Sequence, residues 1–386
     1  EGRHVPDFIS AAIDNKDITA VTDTLNSEWL TQGPKVEEFE HALADYCGSK
    51  YAVAVCNGTA ALHLANLAVG TDATTNVITT PVTFLATANS VIYSGGHPIF
   101  ADIVDKYFTL NPDKVIELAK GEIGFKGLIP VHLGGVVCDM ETLKIIADQY
   151  SLWIIEDACH ALGGQWSDKN DKMHTVGDCS HSDMTIFSFH PVKQITTGEG
   201  GAITTNNKDI YKKLLTLRTH GMTKDKELLK ENHGGWYYEM QELGFNYRMT
   251  DIQASLGIEQ LKKNDEWVKK RRKIVSNYDK AFKNVEQLIP RKHPDKNGEY
   301  SYHLYIIQCE KRAELYQFLK ENDVNTQVHY IPIHLQPYYK NKYGYGRGDF
   351  PESEKYYDNA LSLPLYQTLK DSEQEQVISL VKKFYE

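Results

Sequence analysis

Short apolar runs alternate with amphipathic stretches over the first half of the chain. Residues 51–55 (YAVAV) are typical of a buried strand, and residues 57–68 (NGTAALHLANLA) are typical of a turn that opens a helix. The alternation continues downstream, with helical patterns at 84–95 and 139–150 and strand-like runs at 76–80, 97–103, 126–133, 152–158, 183–189 and 200–206. Strands that alternate with helices in this way predict an α/β fold with a mostly parallel sheet.

The pattern changes after Thr250. Residues 251–282 form a long, charged, amphipathic stretch, which predicts a single connecting helix. Beyond it the pattern predicts a strand at 300–309 and helices near 311–321 and 371–384. We therefore expect a large α/β domain over 5–250 and a smaller α+β domain over 251–386.

The amino-acid composition limits the classes of protein to which this chain can belong. The chain has 386 residues, a formal net charge of -10 and 41% hydrophobic residues, which is ordinary for a globular protein of two domains. The acidic balance argues against nucleic acids and membrane surfaces as general partners. No apolar run reaches the length of a membrane span, and the opening residues Glu1-Gly2-Arg3 resemble the remainder of a cleaved linker. We expect no membrane partner and a fold that begins near residue 5.

Six cysteines are scattered along the chain without C-x-x-C spacing. This distribution argues against a zinc site, so we expect no metal, and it argues equally against a disulfide framework. Free thiols in apolar surroundings indicate a reducing compartment, and we therefore expect a cytoplasmic protein.

Open α/β sheets hold their chemistry at the carboxyl ends of the strands. Three segments are candidates there: Asn57-Gly58-Thr59, Asp157 and 188–193. The last one ends in Lys193, which lies among small, apolar and hydroxyl side chains in FSFHPVKQITTGEGG. A desolvated lysine amine has a lowered pKa and can form a Schiff base with a carbonyl group, whereas a lysine of a surface loop has no such role.

The other candidates also have two interpretations each. Asp157 could cap a following helix or keep the ring nitrogen of a pyridoxal cofactor protonated. Thr59 lies where the first N–H groups of a helix could bind a phosphate, but such caps are common. Phe84 could stack on a cofactor ring or belong to the core.

The order of these groups is more informative than any one of them. A phosphate-type turn, an aromatic residue and a strand-end aspartate are followed, 36 residues after the aspartate, by the lysine. Here the chain resembles the pyridoxal-phosphate-dependent nucleotide-sugar aminotransferases of the DegT/DnrJ/EryC1/StrS group. The matching stretches cover nearly the whole chain: LTQGPKVEEFE (30–40), NGTAALHLA (57–65), TTPVTFLATANSV (79–91), IEDACHALGG (155–164), FSFHPVKQITTGEGGAITTN (187–206), RTHGM (218–222), LGFNYRMTDIQASLGIEQL (243–261) and VHYIPIH (328–334).

The resemblance implies the fold-type I, aspartate aminotransferase-like architecture and a role for each candidate. Lys193 would form the Schiff base with pyridoxal 5'-phosphate and then move a proton between cofactor and substrate carbon. Asp157 would pair with the pyridine nitrogen, and Phe84 would stack on the ring. His160 would lie beside the phenolic oxygen, although a hydrogen-bonded core histidine is the alternative. The phosphate would be bound by Thr59, the Ala60 amide, Ser188 and, from the neighbouring subunit, Asn246.

The role of Asn246 implies a homodimer with composite active sites, although an asparagine in a turn is the alternative. Arg248 is a candidate for the diphosphate of the substrate, and a salt bridge explains it equally well. Four further residues are expected to line the substrate pocket, and a structural role is as good an explanation for each: Gln32, His329, Tyr330 and His334.

The closest resemblance is to the branch that makes UDP-4-amino-4,6-dideoxy-N-acetyl-β-L-altrosamine, a precursor of pseudaminic acid. In that branch a UDP-linked 4-keto-6-deoxy-N-acetylhexosamine accepts an amino group at C4 from L-glutamate. Aminotransferases for UDP-4-amino-arabinose, UDP-N-acetylbacillosamine and dTDP-sugars are alternatives. Some relatives are dehydratases in which histidine replaces the lysine, so Lys193 favours transamination. The remaining rival is a non-catalytic regulator that retains the cofactor pocket.

Overall fold

The computed structural model describes residues 12–121, 123–294 and 297–386. The predicted start of the large domain, at 5–11, lies outside the described residues. The helices are α1 (Asn15–Leu25), α2 (Pro34–Cys47), α3 (Gly58–Ala68), α4 (Leu85–Tyr93), α5 (Pro112–Ala119), α6 (Met140–Tyr150), α7 (Lys208–Arg218), α8 (Asp251–Leu261), α9 (Asn264–Phe282), α10 (Arg312–Glu321), α11 (Pro337–Tyr343), α12 (Pro351–Asn359) and α13 (Asp371–Tyr385).

The strands are short, as is usual in α/β proteins. They are β1 (Tyr51–Val55), β2 (Asn76–Thr79), β3 (His97–Phe100), β4 (Gly127–Ile129), β5 (Trp153–Asp157), β6 (Gln165–Ser167), β7 (Met173–Thr175), β8 (Met184–Ser188), β9 (Gly201–Thr205), β10 (Met222–Thr223), β11 (Glu239–Met240), β12 (Leu288–Pro290), β13 (Tyr305–Cys309) and β14 (Ala360–Leu363). Two 3-10 turns lie at Leu133–Gly135 and Ile333–Leu335.

One large sheet organises the first half of the chain. Its seven strands have the order β1-β9-β8-β5-β4-β2-β3. β9 runs antiparallel to both of its neighbours, and the remaining pairs are parallel. The predicted α/β fold with a mostly parallel sheet is therefore confirmed.

Both faces of the large sheet are covered, which explains why most residues of its strands are buried. Successive side chains of a strand point to opposite faces. In β1, Ala52 and Ala54 belong to a core that includes residues of α2, α6 and α8. Val53 and Val55 belong to a second core, with residues of α3, α4 and α7. The result is a three-layer arrangement of helices, sheet and helices.

The topology brings the predicted chemistry to one edge of this sheet. β5 and β8 are parallel neighbours and end at Asp157 and Ser188. β1 is antiparallel to β9, and β9 is antiparallel to β8, so β1 also points its carboxyl end to this edge. The chain then turns at Asn57 into α3. Strand ends and a helix N-terminus therefore meet at one place, as in other open α/β sheets.

The second half of the chain contains a smaller antiparallel sheet of the order β12-β13-β14. Its buried residues pack with α9, α10 and α13, among them Tyr278, Leu315 and Val377. β13 begins later than the predicted strand at 300–309, since Tyr302 has a φ of 47° and interrupts the extended backbone.

The predicted single helix over 251–282 is wrong. The chain forms two helices, α8 and α9, separated by Lys262 and Lys263. α8 packs against α1 and α2, whereas α9 packs against elements of the smaller sheet. The amine of Lys263 lies 2.7 Å from a carboxylate oxygen of Asp14 and 2.7 Å from one of Asp17, so the break is held against the start of α1. Because each helix buries one face, the amphipathic spacing of the sequence continues across the break. The sequence pattern therefore does not reveal that α8 and α9 are separate helices.

No helix among the described residues combines the length and the apolar composition needed to cross a bilayer.

Candidate active site

A cavity of about 440 Å³ opens at the edge of the large sheet where the strands end. The predicted site residues that line it are Thr59, Phe84, Asp157, His160, Ser188, Lys193 and Tyr330. A larger hollow of about 640 Å³ lies between α1, α2 and α8 and is bordered by none of the predicted residues. The predicted site residues that border a cavity therefore gather at the smaller of these two.

Lys193 lies in the loop after β8. Its backbone N–H donates to the carbonyl oxygen of His190 at 2.9 Å, which closes a turn beneath the side chain. Burial lowers the pKa of the Lys193 amine, and the nearby Cys159 and Asp157 oppose this shift without cancelling it. A lowered pKa increases the fraction of neutral amine, which is the form that attacks a carbonyl carbon.

Asp157 is the last residue of β5 and is only 6% exposed. Its Oδ2 accepts a hydrogen bond of 2.6 Å from the Thr87 hydroxyl, and its Oδ1 accepts one of 3.2 Å from the backbone N–H of Cys159. The Thr87 hydroxyl is in turn 2.7 Å from that of Thr83. The chain after Asp157 forms turns rather than a helix, so the side chain does not act as a helix cap.

His160 is held in one tautomer by its neighbours. Its Nδ1 accepts a hydrogen bond of 3.1 Å from the backbone N–H of Gly134. Burial, with a smaller contribution from Lys193, lowers the pKa of His160 well below its ordinary value. The neutral ring therefore has its hydrogen on Nε2, which lies 3.2 Å from the Tyr330 hydroxyl and donates to it.

The N-terminus of α3 faces the cavity. The side chain of Asn57 caps the helix by accepting the N–H of Ala60 at 2.8 Å. The Ala60 amide thus already has an acceptor within the chain, whereas helix geometry leaves the amides of Gly58 and Thr59 without one in the helix. A Cβ at Gly58 would be 3.0 Å from that of Ser188, so glycine allows the helix to approach the end of β8.

Phe84 lies at the mouth of the cavity, immediately before α4. Its side chain is 56% exposed, which excludes the alternative that it belongs to the core. The centre of its ring lies 5.9 Å from that of Tyr330. Burial raises the pKa of the Tyr330 phenol, so this hydroxyl stays protonated at neutral pH. An exposed aromatic ring beside a cavity is available for stacking on a planar ligand.

The remaining predicted residues lie outside this cavity. His329 is adjacent to it, with Nδ1 3.0 Å from the Ser362 hydroxyl, and burial lowers the pKa of its imidazole to about 4. His334 is fully buried and its Nε2 is 3.0 Å from a carboxylate oxygen of Glu354. The other three do not border the cavity of their own chain: Gln32 and Asn246, which are exposed, and Arg248, which is half-buried.

Sequence reasoning missed several residues of the site. Cys159 borders the cavity, and its place between Asp157 and His160 could have indicated this. Asn57 belongs to the candidate turn named from the sequence, and the structure adds that its side chain caps α3. Thr87 and Gly134 contact residues 70 and 26 positions away, so no local pattern predicts them.

The chemistry of this set of groups fits pyridoxal phosphate. The cofactor has an aldehyde, a basic ring nitrogen, a planar ring and a phosphate. Facing the cavity are an amine with a lowered pKa, a buried carboxylate, an exposed aromatic ring and a helix N-terminus. Each part of the cofactor therefore has a chemically matched group.

Comparison with known proteins gives the same result. Residues 11–382 match the DegT/DnrJ/EryC1/StrS aminotransferase family. The chain is 40% identical over 378 residues to the spore coat polysaccharide biosynthesis protein SpsC of Bacillus subtilis, covering 96% of this chain and 94% of that protein. It is 38% identical over 381 residues to the UDP-4-amino-4,6-dideoxy-N-acetyl-β-L-altrosamine transaminase of Campylobacter jejuni, covering 96% of each.

Solved structures with the same fold include PseC of Helicobacter pylori, an aminotransferase involved in the biosynthesis of pseudaminic acid. It has a TM-score of 0.88 and 30% identity and covers 98% of both chains. The PLP form of the putative sugar aminotransferase Spr1654 of Streptococcus pneumoniae has a TM-score of 0.87 and 31% identity, over 97% of this chain and 98% of that one. The predicted fold-type I architecture and the predicted cofactor are confirmed. The chain therefore belongs to the DegT/DnrJ/EryC1/StrS aminotransferase family and is a pyridoxal-phosphate-dependent aminotransferase.

Proposed function

We propose that this enzyme transfers an amino group from L-glutamate to C4 of a UDP-linked 4-keto-6-deoxy-N-acetylhexosamine. The product is then a UDP-4-amino-4,6-dideoxy sugar, a precursor of pseudaminic acid. The main support for this proposal is a cavity that is lined by the Lys193 amine, the Asp157 carboxylate and the N-terminus of α3. This cavity lies in a chain that is 38% identical, over almost its full length, to a transaminase named for that type of sugar.

In this proposal the chain's own groups bind the cofactor. When bound, pyridoxal phosphate supplies an aldehyde that condenses with amines and a ring that withdraws electrons. The Asp157 carboxylate, oriented by Thr87, keeps the ring nitrogen protonated. Phe84 stacks on the ring, and the phosphate is held by Thr59, Ser188 and the partner subunit's Asn246. The Ala60 amide would contribute by sharing its hydrogen between the phosphate and the Asn57 side chain that it already contacts.

Lys193 has two tasks in the proposal. It binds the cofactor covalently, and its Nζ, once released, accepts a proton from the substrate carbon and later returns it. Burial, which lowers the pKa of this amine, supports both tasks because each requires the neutral form. In the proposal, the phenolic oxygen of the bound cofactor would replace the Tyr330 hydroxyl as the acceptor of the His160 Nε2–H.

Substrate binding is assigned to residues around the cavity mouth. Tyr330 borders the cavity, and His329 lies beside it on the same segment. Gln32 and Arg248 do not border the cavity of their own chain, so in the proposal they reach the substrate in the partner's cavity.

We also propose a homodimer with composite sites. Asn246 is exposed and does not border its own cavity, as expected of a residue that serves the partner. The segment before it exposes apolar side chains, with Trp236 and Leu243 each 75% exposed. Large apolar side chains exposed so close together in sequence support an interaction surface at this segment.

The division into domains at 5–250 and 251–386 and a cytoplasmic location are likewise proposals. The small antiparallel sheet with its own core supports the division. All six cysteines are free thiols, which supports a reducing compartment.

The test is turnover with L-glutamate and the UDP-linked ketosugar, followed by mass spectrometry of the sugar product. Release of 2-oxoglutarate and a product that has gained nitrogen are expected. Lys193→Ala should abolish both, and borohydride should no longer fix the cofactor to the chain. Lys208→Ala, a change at an exposed lysine of α7, is the matched control and should behave as wild type. A covalent adduct or full turnover in Lys193→Ala would overturn the assignment.

A different 4-keto nucleotide sugar is the second candidate. Relatives of this chain include a GDP-perosamine synthase at 32% identity and a UDP-4-amino-4-deoxy-L-arabinose aminotransferase at 31%. A panel of UDP-, GDP- and dTDP-linked ketosugars decides between them. Higher kcat/KM for a sugar other than the UDP-linked N-acetylhexosamine would replace the first candidate, while leaving the aminotransferase chemistry in place.

A further inference from the structure

A buried amide ties the lysine loop to the segment that contains His160. Gln194 follows Lys193 directly and is only 2% exposed. Its Nε2 donates to the carbonyl oxygen of His160 at 2.6 Å and to the hydroxyl of Ser301 at 3.1 Å. The two hydrogens of one amide group thus connect the loop after β8 with two other parts of the chain.

The carbonyl oxygen of His160 is a common acceptor for two segments. Besides the Gln194 amide it accepts the hydroxyl of Ser301, at 3.1 Å, from the segment just before β13. Ser301 is fully buried. A Cβ at Gly135 would lie 2.8 Å from this carbonyl oxygen and 2.9 Å from the Ser301 hydroxyl, so the three segments meet without space for another atom.

This contact connects the two groups on which the proposed chemistry depends. The backbone of Lys193 is fixed on one side by its bond to His190 and on the other by the side chain of Gln194. His160 is fixed at its carbonyl by Gln194 and at its ring by the N–H of Gly134. A change in the Gln194 bond therefore alters where the lysine amine sits relative to the His160 ring.

Packing alone does not require an amide at this position. A leucine side chain has a similar volume and avoids the cost of burying polar atoms. An amide adds directional hydrogen bonds, and these bonds fix the position of Lys193 relative to His160.

We propose that Gln194 is a positioning residue, which sets the place of the Lys193 amine relative to the His160 ring through its bond to the His160 carbonyl. The proposal rests on the proposed role of Lys193 and concerns how accurately that role is performed. Because reacting groups must lie within a narrow range of geometry, loss of this bond should affect the chemical step more than substrate binding.

The test compares Gln194→Leu with Gln374→Leu in the cofactor-loaded enzyme. Gln374 is also buried, and its amide donates to the Ile274 carbonyl oxygen at 2.7 Å, within the core of the smaller sheet. We measure the pH midpoint of the absorbance of the lysine-bound cofactor, and kcat and KM for the reaction with glutamate. Gln194→Leu should move the midpoint and lower kcat roughly tenfold, with KM changed by less than about threefold. Gln374→Leu should leave midpoint and kcat unchanged and lower thermal stability.

Ser301→Ala is the second variant, and it tests the proposal if Gln194→Leu does not fold. It removes one of the two donors to the His160 carbonyl and should move the midpoint and kcat in the same direction by a smaller factor. An unchanged midpoint and kcat in a folded Gln194→Leu or Ser301→Ala enzyme would overturn the proposal, as would equal shifts in Gln374→Leu. Failure of the proposed function looks different, since the wild-type enzyme would then aminate no ketosugar, or Lys193→Ala would retain turnover.

Discussion

The hydroxyl of Thr87 donates a hydrogen bond of 2.6 Å to Oδ2 of Asp157. The two residues come from α4 and from the end of β5, and both are buried. Thr83 extends the chain of hydroxyl groups, with its oxygen 2.7 Å from that of Thr87. The carboxylate expected to hold the cofactor nitrogen is therefore oriented by a side chain that does not border the cavity.

We expect Thr87→Val to weaken cofactor binding roughly tenfold to a hundredfold, because a hydrogen bond to a charged group contributes about 1.5–3 kcal/mol. Valine keeps the shape of threonine and loses the donor. The dissociation constant of pyridoxal phosphate, measured by quenching of protein fluorescence, reports the change. Thr83→Val is the control, since it leaves the direct bond to Asp157 intact, and it should weaken binding less. Equal losses in the two variants would contradict a specific role for Thr87.

The proposed composite site leads to a complementation prediction. Lys193→Ala and Asn246→Ala subunits should each be impaired alone, and their mixed dimer should contain one intact site. With random pairing, half of the dimers are mixed and half of their sites are intact, so roughly a quarter of wild-type activity should return. Assay of the unfractionated mixture measures this, and co-expression with two different tags isolates the mixed dimer, which should have about half of wild-type activity.

The control for complementation mixes two variants whose changed residues line the same cavity of one subunit. Lys193→Ala and Asp157→Ala both act on the cavity of their own subunit, so their mixed dimer has no intact site and should stay inactive. No recovery in the pair with Asn246→Ala would show that Asn246 serves its own subunit. Recovery in the control pair would show that Lys193 and Asp157 do not act in one cavity.

Much of this site follows from local sequence. The bounds of β1 coincide with the YAVAV run, because a strand buried on both faces is apolar at every position. Asp157 and Lys193 are predictable because strand ends gather at one edge of an open sheet. For Asp157 and Lys193, the neighbouring residues in the sequence were sufficient to predict a place at this edge of the sheet.

The remainder depends on contacts between distant segments. Thr87 meets Asp157 across 70 positions, and Gln194 meets Ser301 across 107. His334 illustrates the same limit. It lies only four residues after Tyr330, yet it is turned away from the cavity and bonded to Glu354. Residue type and spacing do not encode which face of a loop is buried, so these contacts emerge only from the assembled fold.

Acid should destabilise the protein through histidines that are buried in the neutral form. Burial lowers the pKa of His329 to about 4, and lowers the pKa of His160 and His303 well below 6.5. In the unfolded chain each imidazole has its ordinary pKa near 6.5 and takes up a proton first as the pH falls. Their contribution to stability is therefore complete above pH 6.5 and is lost as the pH falls towards the folded values, which for His329 means between 6.5 and about 4.

For His329 alone the loss between pH 6.5 and pH 5 should be about 1–2 kcal/mol. Urea unfolding of the cofactor-free protein at several pH values measures it. His329→Gln should reduce the fall in unfolding free energy by that amount. His41→Gln, at an exposed position of α2, is the control and should leave the pH profile as in the wild type. A His329→Gln profile parallel to that of the wild type would refute the assignment.

A comparison of two glycines distinguishes the energetic cost of backbone strain from the cost of a steric clash. Gly48 has a φ of 78° and no atom within 4 Å of a Cβ placed there, whereas Gly135 has a φ of 91° and a Cβ there would be 2.7 Å from the Tyr302 nitrogen and 2.8 Å from the His160 oxygen. Gly48→Ala should cost about 1 kcal/mol, the strain of a left-handed alanine. Gly135→Ala adds a collision with backbone atoms, so its cost should be on the order of 3 kcal/mol.

Urea unfolding of the two variants measures this difference, and cofactor affinity gives a second readout. Gly135→Ala displaces the carbonyl that receives Gln194 and Ser301, and should therefore also weaken binding of pyridoxal phosphate, whereas Gly48→Ala should not. If both variants lost the same stability and kept the same affinity, the close packing around the His160 carbonyl would not restrict residue 135. A larger loss confined to Gly135→Ala would instead show that the geometry behind Lys193 depends on the absence of a single methyl group.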